Sequence, residues 1–297
     1  MSEAKQSLEF KLGSFMKRMQ LELGSRVSNY FPFLDLGIYF VDFMDLKITS
    51  LNVCGIRAPE KLSKIRNLIK SEGCNFLGIQ ESKCEVIDDP IIRRMWGNDQ
   101  FDFVFKKSMG ASGFDCGLEL LHFQERGRNF CGVGGSWLGV EKKIGFLNIY
   151  GPHSKPEKDA LWEDLENLIA LQDLIWVLFG DFNSVRSADE RFGSCFDAQD
   201  AARFNTFISC AGLHDIQFAG RRFTRFNKQG TKMSKLDRFL VSSNFFNQWK
   251  DATVYALPRT ISDHCPILLK VGKLDYGPNP FKIFDHVSNY VQKLTNQ

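Results

Sequence analysis

The feature that most constrains this chain is a recurrence: short apolar runs, each stopping at a polar or acidic residue. Residues 47–53 carry Asn52 near their end and are halted by Gly55; residues 75–80 run into Glu81; residues 144–150 end on Tyr150 before Gly151-Pro152; residues 174–179 run into Gly180-Asp181. Runs of this kind, bounded by glycine, proline or acids, read as strands. Further strands are expected over 235–242 and 265–271. Residues 60–70 place Leu62, Ile65, Leu68 and Ile69 on one helical face, and 158–171 and 197–212 also read as helices. Such an alternation predicts an α/β chain of the α+β kind, with two packed sheets flanked by helices and a site at the rim where strands end.

Composition limits what that site can meet. The 297 residues carry a formal net charge of only +3, so nucleic-acid contact would come from a local groove rather than from bulk charge. The eight cysteines form no CxxC pair, which argues against a zinc site and for reduced, structural thiols. Residues 1–20 lack the apolar centre of a secretory signal, and Asp35, Asp42 and Asp45 interrupt the aromatic stretch at 30–46. No membrane span is expected, and the chain reads as a soluble, intracellular monomer. Residues 11–23 could form a helix, but 1–43 read as a leader outside the domain, which is placed at 44–272, with 273–297 as a linker remnant.

Four strings carry chemistry: Asn52; Gln80-Glu81-Ser82-Lys83; Gly180-Asp181-Phe182-Asn183; and Ser262-Asp263-His264. Tyr150 and Asp237 support them. Alone, each has a bland reading: a turn-forming Asn, a solvated loop acid, a helix cap, a half-buried tyrosine, an exposed strand acid. Together they supply what phosphodiester hydrolysis requires. Glu81 and Asp263, with Asn52, can offer oxygen ligands to a hard cation. Asp181 can deprotonate a water that Asn183 helps to place. His264, oriented by Asp237, can steady developing charge, as can Tyr150 and Asn52. Lys83, Arg221, Arg222 and Arg225 are candidates to meet substrate phosphates.

This ordered set resembles the DNase I, exonuclease III and apurinic endonuclease superfamily over residues 46–271. The resemblance implies a four-layer sandwich of two mixed β-sheets flanked by helices and Mg²⁺-dependent (or Mn²⁺-dependent) phosphoester cleavage. A narrower likeness, to endonucleases of plant non-LTR retrotransposons, rests on Gly212-Leu213-His214-Asp215, on Gly220-Arg221-Arg222-Phe223-Thr224, on residues 235–241 and on the tail at 275–284. It implies a DNA endonuclease nicking one strand, nuclear if it acts on chromosomal DNA. A reverse transcriptase is not expected, since no aromatic-x-Asp-Asp string occurs. Two departures stand out. Cys54 occupies the place where apurinic endonucleases carry an Asp, and the stretch at 118–145 is shorter than in relatives, which predicts an edge strand shortened or out of register. A small-molecule phosphatase of inositol-polyphosphate type and an inactive nucleic-acid-binding remnant remain alternative readings.

Overall fold

The structure, a computed structural model, describes residues 46–84, 87, 89–97, 102–106, 110–114, 119–127, 129–136, 140 and 142–272. The expected leader, with its helix at 11–23, and the expected linker remnant lie outside them. Along the chain the strands are β1 (Leu46–Asn52), β2 (Phe76–Gln80), β3 (Asp102–Lys106), β4 (Gly110–Phe114), β5 (Glu119–Arg126), β6 (Phe130–Ser136), β7 (Ile144–Tyr150), β8 (Ile175–Asp181), β9 (Arg191–Phe192), β10 (Leu213–Asp215), β11 (Phe218–Ala219), β12 (Arg225–Phe226), β13 (Met233–Ser234), β14 (Asp237–Ser242), β15 (Thr253–Ala256) and β16 (Ile267–Val271). The helices are α1 (Pro59–Glu72), α2 (Asp89–Trp96), α3 (Lys155–Leu171), α4 (Ala198–Cys210) and α5 (Ser243–Gln248).

One sheet runs β11-β15-β16-β1-β2-β4-β3, a second β10-β14-β8-β7-β6-β5, and a small third β12-β13-β9. Both large sheets are mixed: β1 is parallel to β2 and antiparallel to β16, while β7 is parallel to β8 and β14 antiparallel to it. Side chains alternate across a strand, and this builds the layers. In β8, Ile175, Val177 and Phe179 enter a core shared with Ile48, Phe76, Ile267 and Leu269 of the facing sheet. Trp176 and Leu178 point the other way, onto Leu161, Trp162 and Leu165 of α3 and Phe204 and Phe207 of α4. On the outer face of the first sheet, Leu51, Leu77 and Ile79 pack on Ile65 and Ile69 of α1 and Ile92 and Met95 of α2. Helices, sheet, sheet and helices make the expected four-layer sandwich. Burial of each large core side chain contributes about 1.5–3 kcal/mol. Gly78 lets the sheets approach: a Cβ there would lie 2.2 Å from the Phe179 ring.

The inner faces turn polar toward one rim. Residue by residue at period two, β1 reads Ile48, Ser50, Asn52; β2 reads Phe76, Gly78, Gln80; β7 reads Phe146, Asn148, Tyr150; and β8 reads Val177, Phe179, Asp181. The first polar step is linked internally, with Gln80 Nε2 donating to Ser50 Oγ (3.0 Å) and to Asn148 Oδ1 (2.5 Å). The second step forms the site.

Element ends differ from expectation for local reasons. α3 begins at Lys155 because Pro156 suits a helix start, where its missing N–H costs nothing. The strand expected from 235 begins at Asp237, since Lys235 N donates to Glu190 O and Leu236 N to Thr224 Oγ1. The strand expected from 265 begins at Ile267, after Pro266, which has no N–H for the ladder. β5, an edge strand, carries a register shift against β6 between Leu120 and Phe123, within the stretch that is short in sequence. Among the described residues no helix is long and apolar enough to cross a membrane, and the cysteines are free thiols.

Candidate active site

The rim where β1, β2, β7 and β8 end opens into a cleft of about 650 Å³. Asp181 is at its floor, 2% exposed. Gly180 makes that placement possible: its φ is +137°, and a Cβ would meet Ile149 O at 2.1 Å. Both carboxylate oxygens of Asp181 are held. Asn52 Nδ2 donates to Oδ2 (3.0 Å) and Asn183 N donates to Oδ1 (2.9 Å). His264 Nε2 stands 3.8 Å from the same Oδ2, and its Nδ1 is 2.8 Å from Asp237 Oδ2. Asp237 is in register with Asp181 on the neighbouring antiparallel strand, and is 1% exposed rather than the exposed acid its strand position alone suggests. The difference is one of face: Asp237 shares the inner face of β14 with Phe239.

These burials set the charges. Burial pushes the Asp181 carboxyl above the usual carboxylate range, Asp237 adds to that, and His264 opposes it. Burial also opposes charge on His264, but Asp237 at its Nδ1, then Asp181 and Asp263, outweigh it and hold the imidazole above its ordinary value. Tyr150, in register with Asp181 and lining the cleft, is pushed up to about 12 by burial and by the charges of Glu81 and Asp181. Its phenol therefore stays a donor at neutral pH.

Glu81 and Lys83 follow β2 on a loop tied to the one after β1, through Gly55 N to Glu81 O (2.8 Å) and Ile56 N to Ser82 O (3.1 Å). Lys83 Nζ meets Glu81 Oε1 at 2.8 Å and Cys54 Sγ at 3.5 Å, and that contact with Glu81 raises the Lys83 ammonium above its usual value. Among the described residues, the non-glycine positions with positive φ are Cys54 (48°), Glu81 (54°), Lys83 (53°) and Asn183 (50°). All four belong to this rim. Left-handed backbone at residues with a Cβ costs of order 1–3 kcal/mol each and gathers at functional sites.

Lys158, which the motif strings do not contain, holds Asn183 in place. Its buried Nζ donates to Asn183 O (2.7 Å) and is ion-paired with Asp200 (2.9 Å), while Asn183 Nδ2 donates to Gly151 O (2.7 Å). A signal was present: Lys158 occupies the apolar stripe of α3 with Leu161, Leu165 and Leu168. Ser262 also has a place, donating to Asn52 O (2.5 Å) and accepting from His264 N (3.0 Å).

The remaining candidates are dispersed. Asp263 lines the cleft with its carboxylate 3.4 Å from Arg225 Nε. Arg225 lines it too, but Arg221 and Arg222 lie outside that lining, and Arg222 is paired with Asp189. For a cation, two donor sets exist. Ligand atoms of Asp181, Asp237 and His264 lie within 4.8 Å of one another, yet they are buried and already engaged, Asp237 with His264 and Asp181 with Asn52 and Asn183 N. Glu81 offers a cleft-facing carboxylate whose partner is an exposed ammonium, and Asn52 Oδ1, which accepts from Cys54 N (3.1 Å), keeps a second lone pair. One carboxylate completed by waters and substrate oxygens is a donor set that fits magnesium.

Comparison with known proteins agrees with this fold. The model of the Endonuclease/Exonuclease/phosphatase family matches residues 49–264. No curated protein matches the chain in sequence. Among solved structures, the chain is similar in fold to the AP endonuclease LMAP from Leishmania major (TM-score 0.62, 19% identity, 82% of this chain and 93% of that one). It is also similar to the endonuclease domain of TRAS1, a telomere-specific non-LTR retrotransposon (TM-score 0.56, 13% identity, 77% and 98%). A third is a 3' phosphatase from Neisseria bound to product DNA hairpin (TM-score 0.56, 17% identity, 76% and 99%).

Proposed function

The chain belongs to the Endonuclease/Exonuclease/phosphatase family, and from that premise we propose that it is a metal-dependent DNA endonuclease that hydrolyses one strand of a duplex. The observation that carries this reading is the buried chain Asn52–Asp181–His264–Asp237 at the floor of an open cleft. Asp181, with a raised pKa, is suited to take a proton from an attacking water at one carboxylate oxygen while Asn52 and the Asn183 N–H keep it aimed. Asp237 at Nδ1 leaves His264 Nε2 as the nitrogen that donates to a phosphoryl oxygen. The Tyr150 phenol donates to the same group as charge develops. Glu81 would hold Mg²⁺ or Mn²⁺, which when bound supplies charge neutralisation at the phosphate oxygens. A retrotransposon origin fits the Arg238–Asp215 pair (2.8 Å), which joins two of the strings that carry that resemblance.

Nicking of supercoiled plasmid tests the proposal. Relaxed circles are expected with Mg²⁺, none with chelator, and a loss on the order of 10²-fold or more for Glu81→Gln with unchanged folding. Full nicking by that variant removes Glu81 from the metal site. Hydrolysis of inositol polyphosphates without nicking would instead select the phosphatase reading.

A further inference from the structure

The small third sheet is joined to the catalytic histidine. Arg191 of β9 pairs with Ser234 of β13, Ser234 with Arg225 of β12, and Arg225 forms an antiparallel bridge with His264. Residues directly opposite across strands share a face, so Arg191, Ser234, Arg225 and His264 form one transverse row, and all four line the cleft. Lys232, two residues before Ser234, shares that face and lines the cleft as well. The alternate row, Phe192, Met233 and Phe226, is apolar and lies outside the lining.

The cations of this cleft are not equally available. Lys155 is paired with Asp197 (2.8 Å), Lys158 with Asp200 (2.9 Å), and Arg225 sits 3.4 Å from Asp263. Among the described residues, Arg191 and Lys232 have no carboxylate partner. Arg191 Nη1 reaches only a backbone oxygen, that of Cys195 (3.3 Å), and its buried Nε–H has no acceptor. The guanidinium charge of Arg191 is thus left without a carboxylate and free to meet an incoming anion. With strands about 4.8 Å apart, Arg191 lies about three spacings from His264, on the order of 14 Å along the row. That is too far for both ends to meet one phosphate.

We infer that this face of the third sheet, Arg191 and Lys232 with Ser234 between the two arginines, binds a second, non-scissile phosphate of a polynucleotide chain. The inference rests on the nuclease reading and extends it: the site takes a polymer of phosphodiesters in preference to a small phosphate ester.

Binding without turnover tests it. The anisotropy of a short fluorescein-labelled DNA duplex is measured against salt concentration, in chelator, for the full chain and for Arg191→Ala, Lys232→Ala and the double variant. Lys142→Ala, whose partner is Asp173 far from the cleft lining, controls for net charge. Each lost contact should flatten the slope of log affinity against log salt by about 0.9, and the double variant by about 1.8, with Lys142→Ala near wild type. If Arg191→Ala melts early, the exposed Lys232 decides alone, through Lys232→Ala and Lys232→Gln. An unchanged slope in these variants, with a wild-type chain that binds the duplex, overturns the second site and leaves the nuclease reading standing. A wild-type chain that fails to bind the duplex overturns both.

Discussion

In the proposed mechanism Asp181 and His264 work in opposite protonation states, and their surroundings move the interval in which both hold to higher pH. Asp181 must be ionised to accept a proton, and its raised pKa puts the acidic limb of activity above the ordinary carboxylate value of about 4. His264 must be protonated to donate, and its raised pKa puts the alkaline limb above the ordinary imidazole value of about 6.5. Asp237 raises both groups, so Asp237→Asn should move both limbs of the kcat/KM profile to lower pH; an alkaline limb that stays in place would separate Asp237 from His264. These residues were legible in sequence because each ends a strand or sits in a short string. The pairing of Lys158 with Asp200 was not, because it spans 42 positions and neither stands in a recognisable string; only the place of Lys158 in an apolar stripe hinted at its burial. The burial of Asp237 was equally hidden, since an alternating pattern does not say which face is the inner one.

At the scale of elements, long strands were legible and short ones were not. β1, β2, β7 and β8 carry enough apolar residues to show their period, and β7 begins and ends where the sequence places it. β9, β12 and β13 have two residues each, too few for any period, so the wall that brings Arg191 and Lys232 to the cleft could not be read beforehand. The Gly-Asp-x-Asn string gains a structural cause: only glycine fits the φ of +137° at position 180 with Ile149 O so near. Gly180→Ala should therefore cost on the order of 2–4 kcal/mol in chemical denaturation. A cost under about 0.5 kcal/mol, typical of surface changes, would show that β8 tolerates a Cβ there. Similarly, the Leu-Asp-Arg and Leu-His-Asp strings meet as β14 beside β10. There the fully buried Arg238 is paired with Asp215 and Glu190, and removing one partner of such a pair costs about 3–5 kcal/mol.

For the whole molecule, the described residues 46–271 build three cores of their own. A chain starting at Met44 should therefore melt cooperatively at a temperature close to that of the full chain; aggregation would place the leader in the core. The four-layer order was legible because helices and strands alternate and because strand ends turn polar. The position of the third sheet depended on pairings that only the folded chain makes. In the proposed function the rim of the sandwich is a hydrolytic site with Asp181 as its base. Plasmid nicking by Asp181→Asn, measured on protein whose melting temperature matches the wild type, tests it most directly. Loss of general-base catalysis predicts a fall of about 10²–10⁴-fold, and nicking at the wild-type rate would contradict the account.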